Sequence, residues 1–190
     1  CDDATDLFNF LTGYSTAPTF ERFIVAPLTL RRGLEDLIRR EIEHAHAGRG
    51  GRIVLKCNSL VDRKMTKLLY EASQAGVQID LIVRGFCSLR PGVPGMSDNI
   101  RVRSIIGRFL EHSRIFYFHN DGDYEIFCSS ADWMDRNMFR RNESCFEIRQ
   151  KAMREQIRHD LDLFLADNCD AWELRDDGCY ERLTPKKGEQ

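Results

Sequence analysis

RIVLKCNSLVDRKMTKLLYEASQAGVQIDLIVRG, residues 52–85, is the stretch that decides the fold. Residues 52–57 form an apolar run of strand length, and Asn58-Ser59-Leu60-Val61-Asp62 then leads into a segment with Met65, Leu68, Leu69 and Ala72 at helical spacing. Gly76 closes that helix, and residues 78–83 make a second apolar strand. Strand, helix and strand joined by tight glycine-bearing turns describe a right-handed crossover onto a parallel sheet. An α/β domain follows, with a mixed, largely parallel sheet flanked by helices.

The flanks extend the pattern. Residues 23–26 read as a short strand running into Pro27, and Thr29 offers an N-cap hydroxyl to a helix carrying Leu30, Leu34, Leu37, Ile38 and Ile42 that ends near Gly48. Gly92, Pro94 and Gly95 make residues 88–99 a loop at the C-terminal end of the 78–83 strand, where open parallel sheets bind ligands. Further on come a strand at 100–105, a helical turn at 106–110 and strands at 115–118 and 124–128 around Asn120-Asp121-Gly122-Asp123. A strand at 143–148, a helix at 152–166 and weak strands at 172–174 and 180–183 complete the chain. Residues 2–11 form a short amphipathic helix. The organisation predicted is a remnant or linker of a missing upstream domain at 1–18, one domain at 19–184 and a frayed tail at 185–190.

Composition narrows the class. With 42% hydrophobic and 31% charged residues among 190, the chain is an ordinary globular domain rather than a disordered tail. Twenty-eight basic residues against 30 acidic ones leave a formal charge of −2, so no overall field points to nucleic acid or an anionic membrane. Arginine outnumbers lysine in three basic clusters, around residues 31–52, 84–114 and 136–141, which favours oxyanion recognition. Seven scattered cysteines, several in apolar runs, read as reduced thiols of a cytoplasmic protein, and attachment at the periphery of an inner membrane stays open. No apolar run is long enough for a membrane span. The chain starts at Cys1 rather than Met, which suggests a piece of something longer.

Chemistry-bearing residues gather between 56 and 132. Arg84 follows a buried-looking strand, His112 lies in Arg108-Phe109-Leu110-Glu111-His112-Ser113-Arg114, and Ser129-Ser130-Ala131-Asp132 follows the next hairpin. A guanidinium grips phosphate oxygens with a planar, permanently charged fork, and imidazole gives, takes or attacks near neutral pH. Lys56 and Asn58 at a strand end, Arg90 in the glycine-proline loop, Arg114 and Ser130 are further candidates for phosphate contact. Ser129, Ser130 and Asp132 could orient His112 or cap the turn before Trp133. His44 and His46, two apart on a helix, face different ways and read as a solvated face, as do Glu41, Glu43, Asp160 and Asp162. No acidic cluster calls for a metal.

The pair His112-Ser113-Arg114 and Ser129-Ser130-Ala131-Asp132 resembles a degenerate phospholipase D-type HxK…GSxN signature, with arginine for lysine and aspartate for asparagine. A larger set of blocks, among them Phe8-Asn9-Phe10-Leu11-Thr12-Gly13-Tyr14, Lys56-Cys57-Asn58-Ser59-Leu60-Val61-Asp62, Leu81-Ile82-Val83-Arg84-Gly85, Leu89-Arg90-Pro91-Gly92 and Arg108-Phe109-Leu110-Glu111-His112-Ser113-Arg114, resembles the C-terminal portion of polyphosphate kinase. That resemblance implies reversible transfer of the ATP terminal phosphate to polyphosphate through a phosphohistidine on an upstream domain. It implies Arg84 as an ATP-contacting arginine and His112 as the second active-site histidine. ATP, ADP, polyphosphate, the upstream domains and further copies of the chain are the implied partners, with Mg²⁺ bound outside this segment. Two alternatives are a phospholipase D-like phosphodiesterase or nuclease completed by homodimerisation, and a non-catalytic polyanion-binding module.

Overall fold

The computed structural model describes residues 2–16 and 19–185. Its centre is a nine-stranded sheet in the order β1-β7-β6-β5-β2-β3-β4-β8-β9. The strands are β1 (Phe23–Ala26), β2 (Arg52–Cys57), β3 (Gln78–Val83), β4 (Ile100–Ile105), β5 (Arg114–Phe118), β6 (Glu125–Ser129), β7 (Glu143–Glu147), β8 (Ala171–Leu174) and β9 (Tyr180–Arg182). The helices are α1 (Asp2–Leu11), α2 (Leu30–His46), α3 (Arg63–Gln74), α4 (Asp135–Phe139) and α5 (Lys151–Ala166). The 52–85 crossover forms as expected, with Leu55 opposite Leu81 in a parallel β2–β3 ladder.

The sheet is mixed but not largely parallel. Parallel pairing is confined to β2–β3 and β3–β4, and the other six pairings are antiparallel. The reason lies in which strands meet: α3 and the 84–99 segment join strands that become neighbours, whereas α2 and α5 join strands that do not pair, and the β5–β6 and β8–β9 links are short hairpins.

Strand alternation divides the sheet into unlike faces. Ile53, Leu55, Ile79 and Leu81 point into the main core under α2 and α3, together with Leu34, Ile38, Leu69 and Phe116, all 0–1% exposed. Val54 and Ile82 point the other way and meet Leu161 of α5 in a much smaller cluster. Gly33 lets α2 lie on β1: a Cβ there would sit 2.7 Å from Ile24 Cγ2.

Four local expectations change. Thr29 does not cap α2; its hydroxyl turns back to accept from the Val25 N–H (2.9 Å), part of a turn in which the Thr29 N–H also donates to Val25 O at 2.7 Å. Glu41 is fully buried rather than solvated, and its two oxygens accept from the backbone N–H groups of Asn120 (2.7 Å) and Arg52 (3.2 Å), fastening α2 to the base of β2. Residues 106–110 form no helical turn, because the Ile106 N–H continues the β4–β8 ladder to Asp170 O. Helix α4 is an addition, one short turn after Met134.

Helix α1 is tied to β1. Its buried Asp3 carboxylate accepts from the N–H groups of Glu21, Arg22 and Phe23 at 2.6–3.1 Å. Burial alone would raise the Asp3 carboxyl, but these N–H donors hold it below its ordinary range. Most of the tail expected to fray at 185–190 lies outside the described residues. Among the described residues no helix is long and apolar enough to cross a membrane, and the six described cysteines are free. Burial pushes the Cys145 thiol up to about 12, the state of an inert core sulfur.

Candidate functional site

The register brings the ends of β2, β3 and β6 and the start of β5 to one end of the sheet: Cys57 pairs with Val83, Lys56 with Ile115 and Arg114 with Ser129. Just beyond β2 and β3 the two chains close up, with the Arg84 N–H on Cys57 O (3.2 Å) and the Gly85 N–H on Asn58 O (2.9 Å). A Cβ at Gly85 would sit 2.9 Å from Asn58 O, so glycine is what lets Arg84 follow the strand so tightly. The 58–62 loop is then clamped from both sides, Leu60 bridging to Cys87 and to Trp133.

Asp132 is the hub of this end. It accepts from the backbone N–H groups of Asn58 (2.8 Å) and Ser59 (3.3 Å), from Asn58 Nδ2 (3.2 Å), and from Arg114 through Nε (3.2 Å) and one terminal nitrogen (3.0 Å). Burial opposes its ionisation, yet Arg114 and the Asn58 donors outweigh burial and hold the carboxyl below the usual range. The other terminal nitrogen of Arg114 lies 3.1 Å from His112 Nδ1 and donates to His112 O, also at 3.1 Å. A guanidinium only donates, so Nδ1 is the acceptor and the neutral ring carries its proton on Nε2, on the exposed side of the loop. Asp132 therefore orients His112 through Arg114 rather than by direct contact.

Beside this chain lies a second group of charges. Lys56 is 4% exposed, points to the α5 face and donates to Ser113 Oγ at 2.8 Å, with Glu111 Oε2 at 3.4 Å and the Phe164 ring beneath at 4.8 Å. Desolvation lowers its pKa, Arg84 adds to the effect, and Glu111 works against both. Arg84 shares with Lys56, Glu111 and Phe164 a recess of about 10 Å³, room for one water. One terminal nitrogen of Arg84 is buried and has no hydrogen-bond partner among the described residues. A buried, unpaired guanidinium nitrogen is a costly arrangement that an anion would relieve.

The sequence candidates fall into three sets. Arg84, Lys56 and His112 share this end of the sheet, with Glu111, next to His112, lining the Arg84 recess. Arg114 and Asn58, expected as phosphate contacts, are turned to Asp132 instead, and all three Arg114 nitrogens have protein partners. Ser130 donates to Glu143, which also accepts from Asn137 Nδ2 at 2.6 Å, so its hydroxyl braces β6 against β7. Arg90 donates to Asp176 O beside the Ile100 end of β4, at the other end of the parallel strands. Glu111, Ser113 and Phe164 were not singled out from the sequence. A polar residue at position 56 inside an apolar strand was the available signal that such partners exist. Among the described residues no group of three or more His, Cys, Asp or Glu could hold a metal ion.

The architecture is that of the phospholipase D class. NucT of Helicobacter pylori (TM-score 0.56, 13% identity, 76% of this chain, 94% of that one) and the phospholipase D family member Nuc of Salmonella typhimurium (0.60, 12%, 81% and 97%) share its fold. The chain itself belongs to the polyphosphate kinase family, since the model of polyphosphate kinase C-terminal domain 2 matches residues 23–190. Polyphosphate kinase of Synechocystis is 53% identical over 189 residues, covering 100% of this chain and 26% of that protein. The Pseudomonas aeruginosa polyphosphate kinase is 50% identical over 185 residues, 97% of this chain and 27% of that protein. The crystal structure of the Porphyromonas gingivalis polyphosphate kinase superposes with a TM-score of 0.94 at 39% identity, covering 99% of this chain and 29% of that one. The chain thus spans about a quarter of the length of the curated relatives it matches.

Proposed function

We propose that this domain supplies Arg84, His112 and Lys56 to a composite site that transfers the terminal phosphate of ATP reversibly to polyphosphate, by way of a phosphohistidine carried on an upstream part of the same polypeptide. The observation that carries the reading is the unpartnered, buried nitrogen of Arg84 in the recess bounded by Lys56 and Glu111. Phosphoryl transfer asks a protein for in-line positioning and for fixed positive charge around the moving group, with little covalent chemistry. Arg84 and Lys56 provide the charge. His112 presents Nε2–H to the solvent side, where it donates a hydrogen bond to an oxygen of the transferring phosphoryl group. Arg114 is a positioning residue that fixes the ring and its tautomer.

The recess is too small for a nucleotide, so the loop that carries Glu111 and His112 shifts to admit phosphate. Exposed Phe109 (78%) and Leu110 (74%), which nothing in the described residues covers, are consistent with such a movable loop. Among the described residues no group of three or more His, Cys, Asp or Glu gathers at a metal site, and the reading places the protein ligands of the nucleotide's Mg²⁺ upstream. The enzyme works in the cytoplasm, as an oligomer of full-length chains, with 1–18 as the link from the upstream domain and 19–184 as the domain proper.

The test is made in the complete protein. His112→Ala is expected to lower turnover of ATP-dependent polymer synthesis by about 10²–10³, the range of one lost preorganised hydrogen-bond donor, with a smaller effect on the KM for ATP. Full turnover in that variant, measured by release of ADP, defeats the assignment.

A further inference from the structure

The α5 face carries a second charged cavity that the site above does not use. It is lined by Arg52, Val54, Tyr117, Arg158, Leu161 and Asp162 and encloses about 180 Å³. Alternation puts Arg52 on the same face of β2 as Lys56, four residues and about 13 Å away along the strand. Leu161 packs on Val54, and Phe164 lies under Lys56, so apolar side chains separate the two places. The cavity is a separate site and not an extension of the Arg84 recess.

Its two guanidinium groups have charge to spare. Arg52 reaches one carboxylate, Asp80, at 3.5 Å, and that carboxylate is already held more closely by Arg101 at 2.8 Å. Arg158 makes no hydrogen bond or ion pair to another described residue; its contact is with the Tyr124 ring at 5.2 Å. Tyr117 stacks on Tyr124 at 5.6 Å, which fixes its ring on the wall of the cavity that Arg52 and Arg158 also line. Burial pushes that phenol's pKa up, and the charges of Arg52 and Arg158 pull it back against that of Glu41. Two guanidinium forks and a phenol line one cavity, a donor set that suits a tetrahedral oxyanion. Asp162 on the wall reduces the net charge to that of one cation, which suits a single phosphoryl group rather than a cluster.

We infer that the Arg52–Tyr117–Arg158 cavity is a second oxyanion site that holds one phosphoryl group of a condensed phosphate chain, apart from the Arg84 end. The choice of a phosphate chain over other oxyanions rests on the function proposed above. Such a site keeps the polymer on the domain while its end is remodelled elsewhere, an effective-concentration gain.

The test is a titration of the chain with inorganic tripolyphosphate, following the arginine Nε–H signals of Arg52, Arg84 and Arg158 by NMR, with orthophosphate in parallel. The expected result is a saturable shift at Arg52 and Arg158 together, at least tenfold tighter for tripolyphosphate than for orthophosphate. Arg158→Glu, at an exposed helical position, should weaken the Arg52 response at least tenfold, and Tyr117→Phe, which keeps the ring stack, several-fold. A response at Arg84 with none at Arg52 and Arg158 overturns this inference and leaves the proposed function standing. Silence at all three overturns this inference as well, and the His112→Ala assay in the complete protein then decides the proposed function by itself. Equal affinity for orthophosphate overturns the assignment to a chain.

Discussion

The two faces of the β2–β3 ribbon come from alternate residues of the same strands and serve opposite ends. Ile53, Leu55, Ile79 and Leu81 sink into a continuous apolar core under α2 and α3. Arg52, Lys56, Asp80 and their neighbours Arg101 and Arg103 turn to the α5 side, where, among the described residues, Val54, Ile82 and Leu161 make a small buried apolar cluster. Stability is concentrated on one face, and that is what lets the other hold incompletely paired charge, which is costly to a fold and useful to a phosphate. Five of six β2 residues are at most 4% exposed or nearly so, yet Lys56 among them is a cation.

The strongest way to break this comparison is to exchange effects between the faces. Leu55→Ala, in the α2/α3 core, is expected to cost about 3 kcal/mol (range ~2–5) of unfolding free energy in urea melts. Leu161→Ala, on the thinner α5 face, should cost about half as much, because its surroundings are closer to solvent and can relax. Equal losses would show that α5 covers a second full core and would remove the distinction.

Arg84→Ala should do the reverse. Turnover of ATP-dependent polymer synthesis in the complete protein is expected to fall about 10²–10³-fold, as for loss of one preorganised charge from a transition-state site. The urea midpoint of the chain should stay level or rise, since the variant removes a buried nitrogen that has no partner among the described residues. A destabilised variant with normal turnover would make Arg84 a structural residue.

Arg114→Lys sharpens the division inside the site itself. A lysine keeps the charge but cannot span Asp132 and His112 with one planar fork. Turnover should drop about tenfold with a distorted pH–rate profile, while the KM for ATP moves little. An unchanged profile would mean that His112 needs no orientation by its neighbour.

The crossover and nearly every strand were legible in the sequence because their signal is local: period-2 and period-3.6 patterns bounded by Gly76, Gly92 and Gly122. The parallel share of the sheet was overestimated because strand direction is fixed by which strands meet, a long-range fact that a single βαβ unit does not contain. At the site, Arg84 and His112 could be named from residue type and resemblance. The partners of the others could not. Asn58, Arg114 and Ser130 are residue types that bind phosphate or bind carboxylates equally well, and only the fold reveals that Asp132 and Glu143 stand in front of them. Glu41 was misread for the same reason, since a glutamate on an amphipathic helix carries no mark of the two N–H groups it will meet.

The smallest effect tests whether the hub on the site end also supports the fold. Asp132 has a folded-state pKa below its ordinary 3.8, with Arg114 and the Asn58 donors as the cause against the opposing pull of burial. A carboxyl of this kind binds fewer protons folded than unfolded, so its contribution is fully present above its unfolded pKa and is lost as pH falls through the folded value. The same sign applies to Asp3, which fastens α1. Chemical denaturation between pH 7 and pH 2 should therefore show the native chain losing stability below about pH 4. Asp132→Asn should begin lower at pH 7 and lose less on acidification, because an amide has no proton to gain. Asp3→Asn should show the same flattening without touching turnover in the complete protein. If Asp132→Asn keeps the full acid slope, the Arg114 pair is not worth more folded than unfolded, and the charged face draws its order from α5 and the strands alone.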